Sequence, residues 1–404
     1  MSTRAETAQS TTVTTFPFPQ DDPCLPPPQY AALRADAPVT PVVLPTGDRA
    51  WLVTRHADVL TVLGDERFSR RALTGPDAPR LAPIPPLPSL FYLDPPDHTR
   101  VRRLAARAFD PDRLARLRPR VERVVAAHLD RLAGADQPAD VLGLVARPLP
   151  LAVVATVLGV PDDEYPPFAE LIRTAFSFGA VAPEEQMAAM GGLQQYLLDL
   201  IGARRDEPAD DALSDLVRPD GDDQLADPEL IALIFDLVGA GDQPVTAEIV
   251  HLLLNLLRDP AGLPALHAEP ELVPTAVEEL LRHSQSAGGG LGSVRIAMAD
   301  VELSGVTIPA GDPVIPSFNA ANFDESVFPD AGRLDLARRP NPHLTFAQGI
   351  HHCLGAPLGR IELTALLAGL ARDFPGLRLA VPADQLQWLP VPAFRTPGEI
   401  PVHW

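Results

Sequence analysis

The chain has 404 residues, 46 % of them hydrophobic and 21 % charged, which predicts a soluble globular protein with enough length for a sizeable core. A formal net charge of −20 argues against nucleic acid as a partner. The longest apolar run, Pro148 to Val160, is interrupted by proline and too short to cross a bilayer, so no membrane association is expected.

Residues 1–20 are rich in Ser and Thr and carry no apolar signal-peptide core, which predicts a disordered tail and a cytoplasmic location. Residues 21–404 read as one large domain without internal repeats or a long linker. Cys24 and Cys353 are the two cysteines, too few for a disulfide framework. Cys24, in a proline-rich segment, reads as a bystander. Every basic residue is an arginine, and with 47 prolines this fits the codon bias of a high-GC genome.

Short apolar segments at 39–43 and 50–54 predict a β-hairpin around Thr46-Gly47-Asp48. Apolar spacing and flanking Pro, Asp or Gly predict helices over 56–64, 98–108, 111–133, 162–177, 183–205, 226–258, 271–283 and 354–373. Short strands are expected near 292–296, 301–303 and 306–308, with a turn at Pro309-Ala310-Gly311-Asp312 before another. The fold class is therefore mainly α with a small β part. Residues 100–123 hold Arg100, Arg102, Arg103, Arg107, Arg113, Arg116, Arg118, Arg120 and Arg123, a basic stripe that suits an acidic partner or a solvated helix face.

The most informative stretch is Phe346-Ala347-Gln348-Gly349-Ile350-His351-His352-Cys353-Leu354-Gly355, directly ahead of an apolar helix. A thiol at a helix mouth meets free backbone N–H groups and the positive end of the helix dipole, which favour the thiolate. A hydrolase pair of Cys353 with His352 is disfavoured, because adjacent residues rarely face each other. A zinc site using His351, His352 and Cys353 lacks a second ligand cluster. A structural free cysteine is the remaining bland reading.

The spacing F-x-x-G-x-H-x-C-x-G resembles the haem-binding loop of cytochrome P450, with departures at Ala347, usually Gly, and Gly359, usually Ala. The resemblance spans roughly residues 20–404 and implies the cytochrome P450 fold, haem b, and Cys353 as the axial thiolate. It further implies that His98, Arg102, Arg295 and His351 seat the haem propionates. Glu279, Arg282 and Arg333 would form the ion triad that stiffens the core behind the haem.

The long helix departs most. The family usually has Ala-Gly-x-acid-Thr there, whose acid and hydroxyl deliver protons during oxygen activation. This chain has Ala240-Gly241-Asp242-Gln243-Pro244, with Thr246 two residues further on. Pro244 cannot donate to the Ala240 carbonyl, so a kink is expected, and Ala240, Gly241 and Pro244 shape the oxygen side. Proton delivery must then use water, a substrate hydroxyl or peroxide in place of the usual pair.

By position, the substrate pocket would draw on Leu87, Leu90, Phe91, Tyr92, Phe235, Val238 and Gly239. The Ala287-Gly288-Gly289-Gly290-Leu291 segment and Val391-Pro392-Ala393-Phe394 would complete it. The implied function is O2-dependent monooxygenation of a bulky hydrophobic natural-product intermediate. Electrons would come from NAD(P)H through ferredoxin reductase and a ferredoxin that docks near the arginine stripe and Cys353, and the protein is expected to be a monomer. Oxidative C–C or C–O coupling, and a P450-like accessory protein without catalysis, are the alternatives.

Overall fold

The computed structural model describes residues 14–75, 78, 89–177, 181–219, 223–286, 293–389 and 394–404. Helices dominate, and a six-stranded sheet lies at one side. Its strands run in the order Thr14–Thr15, Val39–Val43, Arg49–Val53, Pro313–Pro316, Arg295–Ala297 and Phe68–Ser69. The predicted hairpin is present, closed by Leu44 N–H on the Asp48 carbonyl at 2.8 Å, with Gly47 at φ 90°. Glycine suits that turn because a side chain there would be strained.

The expectation of a disordered tail over 1–20 is corrected from residue 14 onward; residues 1–13 lie outside the described residues. Thr14–Thr15 joins the sheet beside Val42 and Val43. Phe16 and Phe18 are buried and meet edge to face at 5.4 Å. Two aromatic rings outweigh the polar composition around them, since each removes a large apolar area from water.

The main core lies among the helices Pro111–Ala133, Pro148–Leu158, Val273–His283 and Ala356–Asp373. Leu117, Val121, Val125, Leu129 and Leu132 are spaced four or three apart, so they share one face. They belong to the same core as Leu363, Leu366, Leu367 and Leu370. Contact is close at Gly369, where a Cβ would come within 2.3 Å of the Leu129 side chain. The proline-rich composition also has a local use: Pro111, Pro148 and Pro183 each open a helix, where the missing N–H costs nothing.

The predicted helix over 226–258 is two helices, Asp227–Gly241 and Gln243–Leu257, meeting at Asp242 with φ −104° and ψ −85°. Pro244 sits in the first turn of the second helix, so the anticipated kink is a full break. Helices Gln29–Asp36, Pro148–Leu158, Ala212–Val217 and Gly262–Ala268 have no counterpart in the elements expected from sequence.

Candidate active site

The Cys353 loop is held by its own backbone. Cys353 N–H donates to the Phe346 carbonyl at 2.8 Å, and His352 N–H to the Gly349 carbonyl at 3.0 Å. Gly349 has φ 75°, and a Cβ there would lie 2.5 Å from the Leu63 carbonyl oxygen, so glycine is required. Ala347 also takes a left-handed conformation, φ 57°. Gly would occupy it freely, whereas Ala is strained by about 1 kcal/mol. The Cys353 side chain opens onto an interior cavity of about 710 Å³, within the usual range for cofactor and ligand sites. Burial pushes its thiol up. The N–H groups of Gly355 and Ala356 and the charges of Arg102 and Arg360 offset that only in part. The helix mouth therefore orients the sulfur, but a bound cation is needed to hold it as thiolate at neutral pH.

Beside Cys353 the cavity wall gathers basic groups from distant parts of the chain. His98 and Arg102 come from helix Asp97–Ala105, one turn apart. Arg295 comes from the sheet, and His351 from the cysteine loop. The His98 and His351 rings lie 4.4 Å apart. Both His98 ring nitrogens and His351 Nε2 are buried without a hydrogen-bond partner among the described residues. Burial, then repulsion from Arg70 and Arg295, holds His351 down at about 2, and burial and Arg102 hold His98 at about 4. Arg295 is lowered to about 10 by burial. Arg102 donates to the His352 carbonyl at 2.5 Å.

Arg70 belongs to this group, and sequence reasoning missed it. Its guanidinium is buried and lies 3.4 Å over the Phe91 ring. Ser69 pairs antiparallel with Ile296, so the next residue, Arg70, comes alongside Arg295. Only that strand register, which spacing does not reveal, brings the two together.

The opposite wall is the broken helix. Ala240, Gly241 and Pro244 line the cavity, as do Leu90, Phe91, Tyr92, Phe235, Val238, Gly239 and Phe394. Leu87, the 287–291 segment with Gly289 and Gly290, and 391–393 lie outside the described residues. Gln243 is turned to the Phe176 carbonyl at 2.9 Å. Among the described residues three acids line the cavity, Asp236, Asp242 and Glu362; burial raises Asp242 to about 6, and burial and Asp242 raise Glu362 to about 8. Glu362, on helix Ala356–Asp373, carries no signal in the sequence that would single it out.

The ion network behind the loop differs from expectation in one member. Glu279 binds Arg282 through two hydrogen bonds of 2.8 Å, and both side chains are fully buried. The second arginine on Glu279 is Arg338, at 3.0 Å, not Arg333. Arg333 is exposed and contributes only its carbonyl, to Arg282 and Arg338. The chain folds back between them, so the Asp335 N–H and the Arg338 side chain both donate to the Glu279 carboxylate while the Arg333 carbonyl accepts from the two guanidiniums.

The arginine stripe is largely neutralised from within. Arg100 pairs with Asp223 and Glu229, Arg103 with Asp223, Arg113 with Asp210 and Asp215, and Arg116 with Asp210. Arg107 and Arg120 donate to the carbonyls of Arg218 and Asp210. Its first role is to fasten residues 210–218 and 223–229 to the arginine-bearing segment.

A thiol for iron, with orphan imidazole nitrogens and buried guanidiniums for two carboxylates, around one largely apolar cavity, is a donor set that fits haem b. Comparison with known proteins agrees. The chain is 45 % identical over 379 residues to nocardicin C N-oxygenase of Nocardia uniformis subsp. tsuyamanensis, covering 93 % of this chain and 95 % of that protein. It superposes with TM-score 0.93, at 41 % identity, on a mutant of the mixed-function P450 MycG in complex with mycinamicin IV, covering 97 % of this chain and 100 % of that one. A P450 with biaryl coupling reactivity superposes with TM-score 0.87 at 38 % identity, with coverages of 97 % and 100 %. The cytochrome P450 family model matches residues 46–377, and the chain belongs to that family, as a haem-dependent monooxygenase-type oxidoreductase.

Proposed function

We propose that this P450 inserts one oxygen atom into a bulky, mostly apolar natural-product intermediate, with protons supplied by buried carboxyls in place of an acid–alcohol pair. One observation carries the reading: Cys353, His98, Arg102, Arg295 and His351 converge on one cavity whose other wall is the helix broken at Asp242. Cys353 would ligate the iron, and the four basic residues together with Arg70 would hold the propionates. Bound there, haem b supplies O2 activation with two electrons from NAD(P)H, delivered through a redox partner.

Pro244 occupies the place where the family usually has a hydroxyl, and Gln243 is committed to a backbone carbonyl. Asp242 and Glu362 remain. Burial brings both carboxyls into the range where a group gives and retakes protons near neutral pH. An acidic ferredoxin would dock on the face around Cys353, beside the arginine stripe.

The test begins with haem-loaded protein screened against mycinamicin-type macrolides by spin-state absorption shift, followed by mass analysis of products formed with ferredoxin, its reductase and NADPH. A gain of one oxygen atom is expected. Loss of two hydrogens without added oxygen would support the second reading, oxidative coupling, which the biaryl-coupling relative motivates. Asp242→Asn and Glu362→Gln together are expected to divert electrons to hydrogen peroxide, and Pro244→Thr to shift that partition. Unchanged peroxide yield in both variants refutes the proton-delivery scheme.

A further inference from the structure

Asp236 is an acid in this cavity that the chemistry above does not use. It lies on helix Asp227–Gly241 one turn before Ala240, among apolar neighbours Phe235 and Leu237. The carboxylate accepts the Ser89 hydroxyl and the N–H groups of Leu90 and Phe91, and so ties the short 89–92 turn to the helix. Its Oδ2 is buried and has no hydrogen-bond partner among the described residues. Arg70 is near enough to stabilise the charge, and its guanidinium lies over the Phe91 ring. Burial still leaves the group raised to about 6, the behaviour of a carboxylate short of donors.

A buried acceptor with no donor is costly, and a ligand that supplies the donor recovers that cost. The rest of the pocket offers a substrate mainly apolar contact through Leu90, Phe91, Phe235, Val238 and Phe394. From this we infer that Asp236 Oδ2 is the polar anchor of the substrate site, selecting molecules that place one O–H or N–H donor on an otherwise apolar body. The inference rests on the monooxygenase reading and specifies its substrate class. Asp236 would set how the substrate lies under the 89–92 turn, and so which face is presented to the Cys353 side.

The probes are cyclododecanol and cyclododecanone, bulky apolar rings that differ in the donor. Each is titrated into the haem-loaded protein by calorimetry and by ferric absorption. The alcohol is expected to bind roughly ten- to a hundred-fold more tightly than the ketone, the usual weight of a hydrogen bond to a charged group. In Asp236→Asn the NH2 can face the ligand, and the oxygen of either ring accepts from it, so the preference for the alcohol should collapse. Equal affinities in the wild type, a preference that the Asn variant keeps, or no binding of either ring overturns the inference. The wild-type ratio alone is decisive should the variant not fold. A protein that takes up no haem would instead refute the monooxygenase reading, and calorimetry still measures the alcohol-to-ketone ratio in that case. Cyclododecylamine separates the two donor sources: a further gain over the alcohol by calorimetry on the ferrous–CO form, where the iron is blocked, identifies an ammonium as the preferred group.

Discussion

Replacing Glu279 by Gln tests the ion network that backs the cysteine loop. Glu279 is fully buried and receives Arg282 twice at 2.8 Å, Arg338 at 3.0 Å, the Asp335 N–H at 2.9 Å and Asn341 at 3.1 Å. The amide keeps the shape but removes the charge, leaving two arginines, 0 % and 9 % exposed, without their shared counter-ion. Breaking a buried pair this way costs about 3–5 kcal/mol. With an unfolding entropy near 2.1 cal/mol/K per residue, a chain of 404 residues should lose about 4–6 °C in Tm. Burial raises the Glu279 carboxyl, but the two arginines and the Asp335 N–H together bring it below its ordinary value of 4.5. Its stabilisation is therefore complete above that value and fades as pH falls through the depressed folded-state value. The assay is thermal unfolding of the haem-loaded wild type and variant by circular dichroism from pH 7 down to pH 3. A deficit of several degrees at pH 7 that narrows in acid is expected. A Tm loss under about 1 °C at pH 7, or a gap that does not change with pH, would refute the assignment of the network's strength to this carboxylate.

Restoring the commoner family residues at one loop position and one helix position should stabilise the fold. Ala347→Gly relieves a φ of 57°, and Gly359→Ala adds a Cβ that meets only the Phe346 ring at 4.0 Å, so each should gain up to ~1 kcal/mol in a denaturant titration. Gly349→Ala should do the reverse, by at least ~2 kcal/mol with loss of retained haem absorbance, since it combines φ 75° with a contact of 2.5 Å to the Leu63 carbonyl. Glu362→Gln should reshape the pH profile of stability. A carboxyl raised from 4.5 to about 8 is penalised as pH climbs through that window, so the variant should gain Tm over wild type from pH 5 to pH 8, and parallel profiles would contradict it.

What the sequence made legible is what local chemistry enforces. The Cys353 loop could be read because each of its positions has a fixed role, with glycine in a left-handed turn, histidine toward the cavity and cysteine at a helix mouth. The face of Pro111–Ala133 could be read because apolar residues recur every three or four positions. Helix Pro148–Leu158 escaped for the opposite reason: it is apolar nearly all round and shows little period. Features set by distant pairing were hidden. Arg70 reaches the site only through the register of two strands more than two hundred residues apart. The stripe's long-range counter-ions lie 94 to 129 residues further along, and nothing local to the stripe announces them. Arg338 displaces Arg333 because an irregular segment folds back on itself, a path no period encodes.

The most direct measurement is the ferrous–carbon monoxide difference spectrum of wild type and Cys353→Ser, purified after expression with ample porphyrin. Wild type should show the red-shifted Soret band of thiolate ligation, and the serine variant should lose it while any haem retained keeps an unshifted band. A wild type without that band, or a serine variant that keeps it, would contradict Cys353 as the iron ligand.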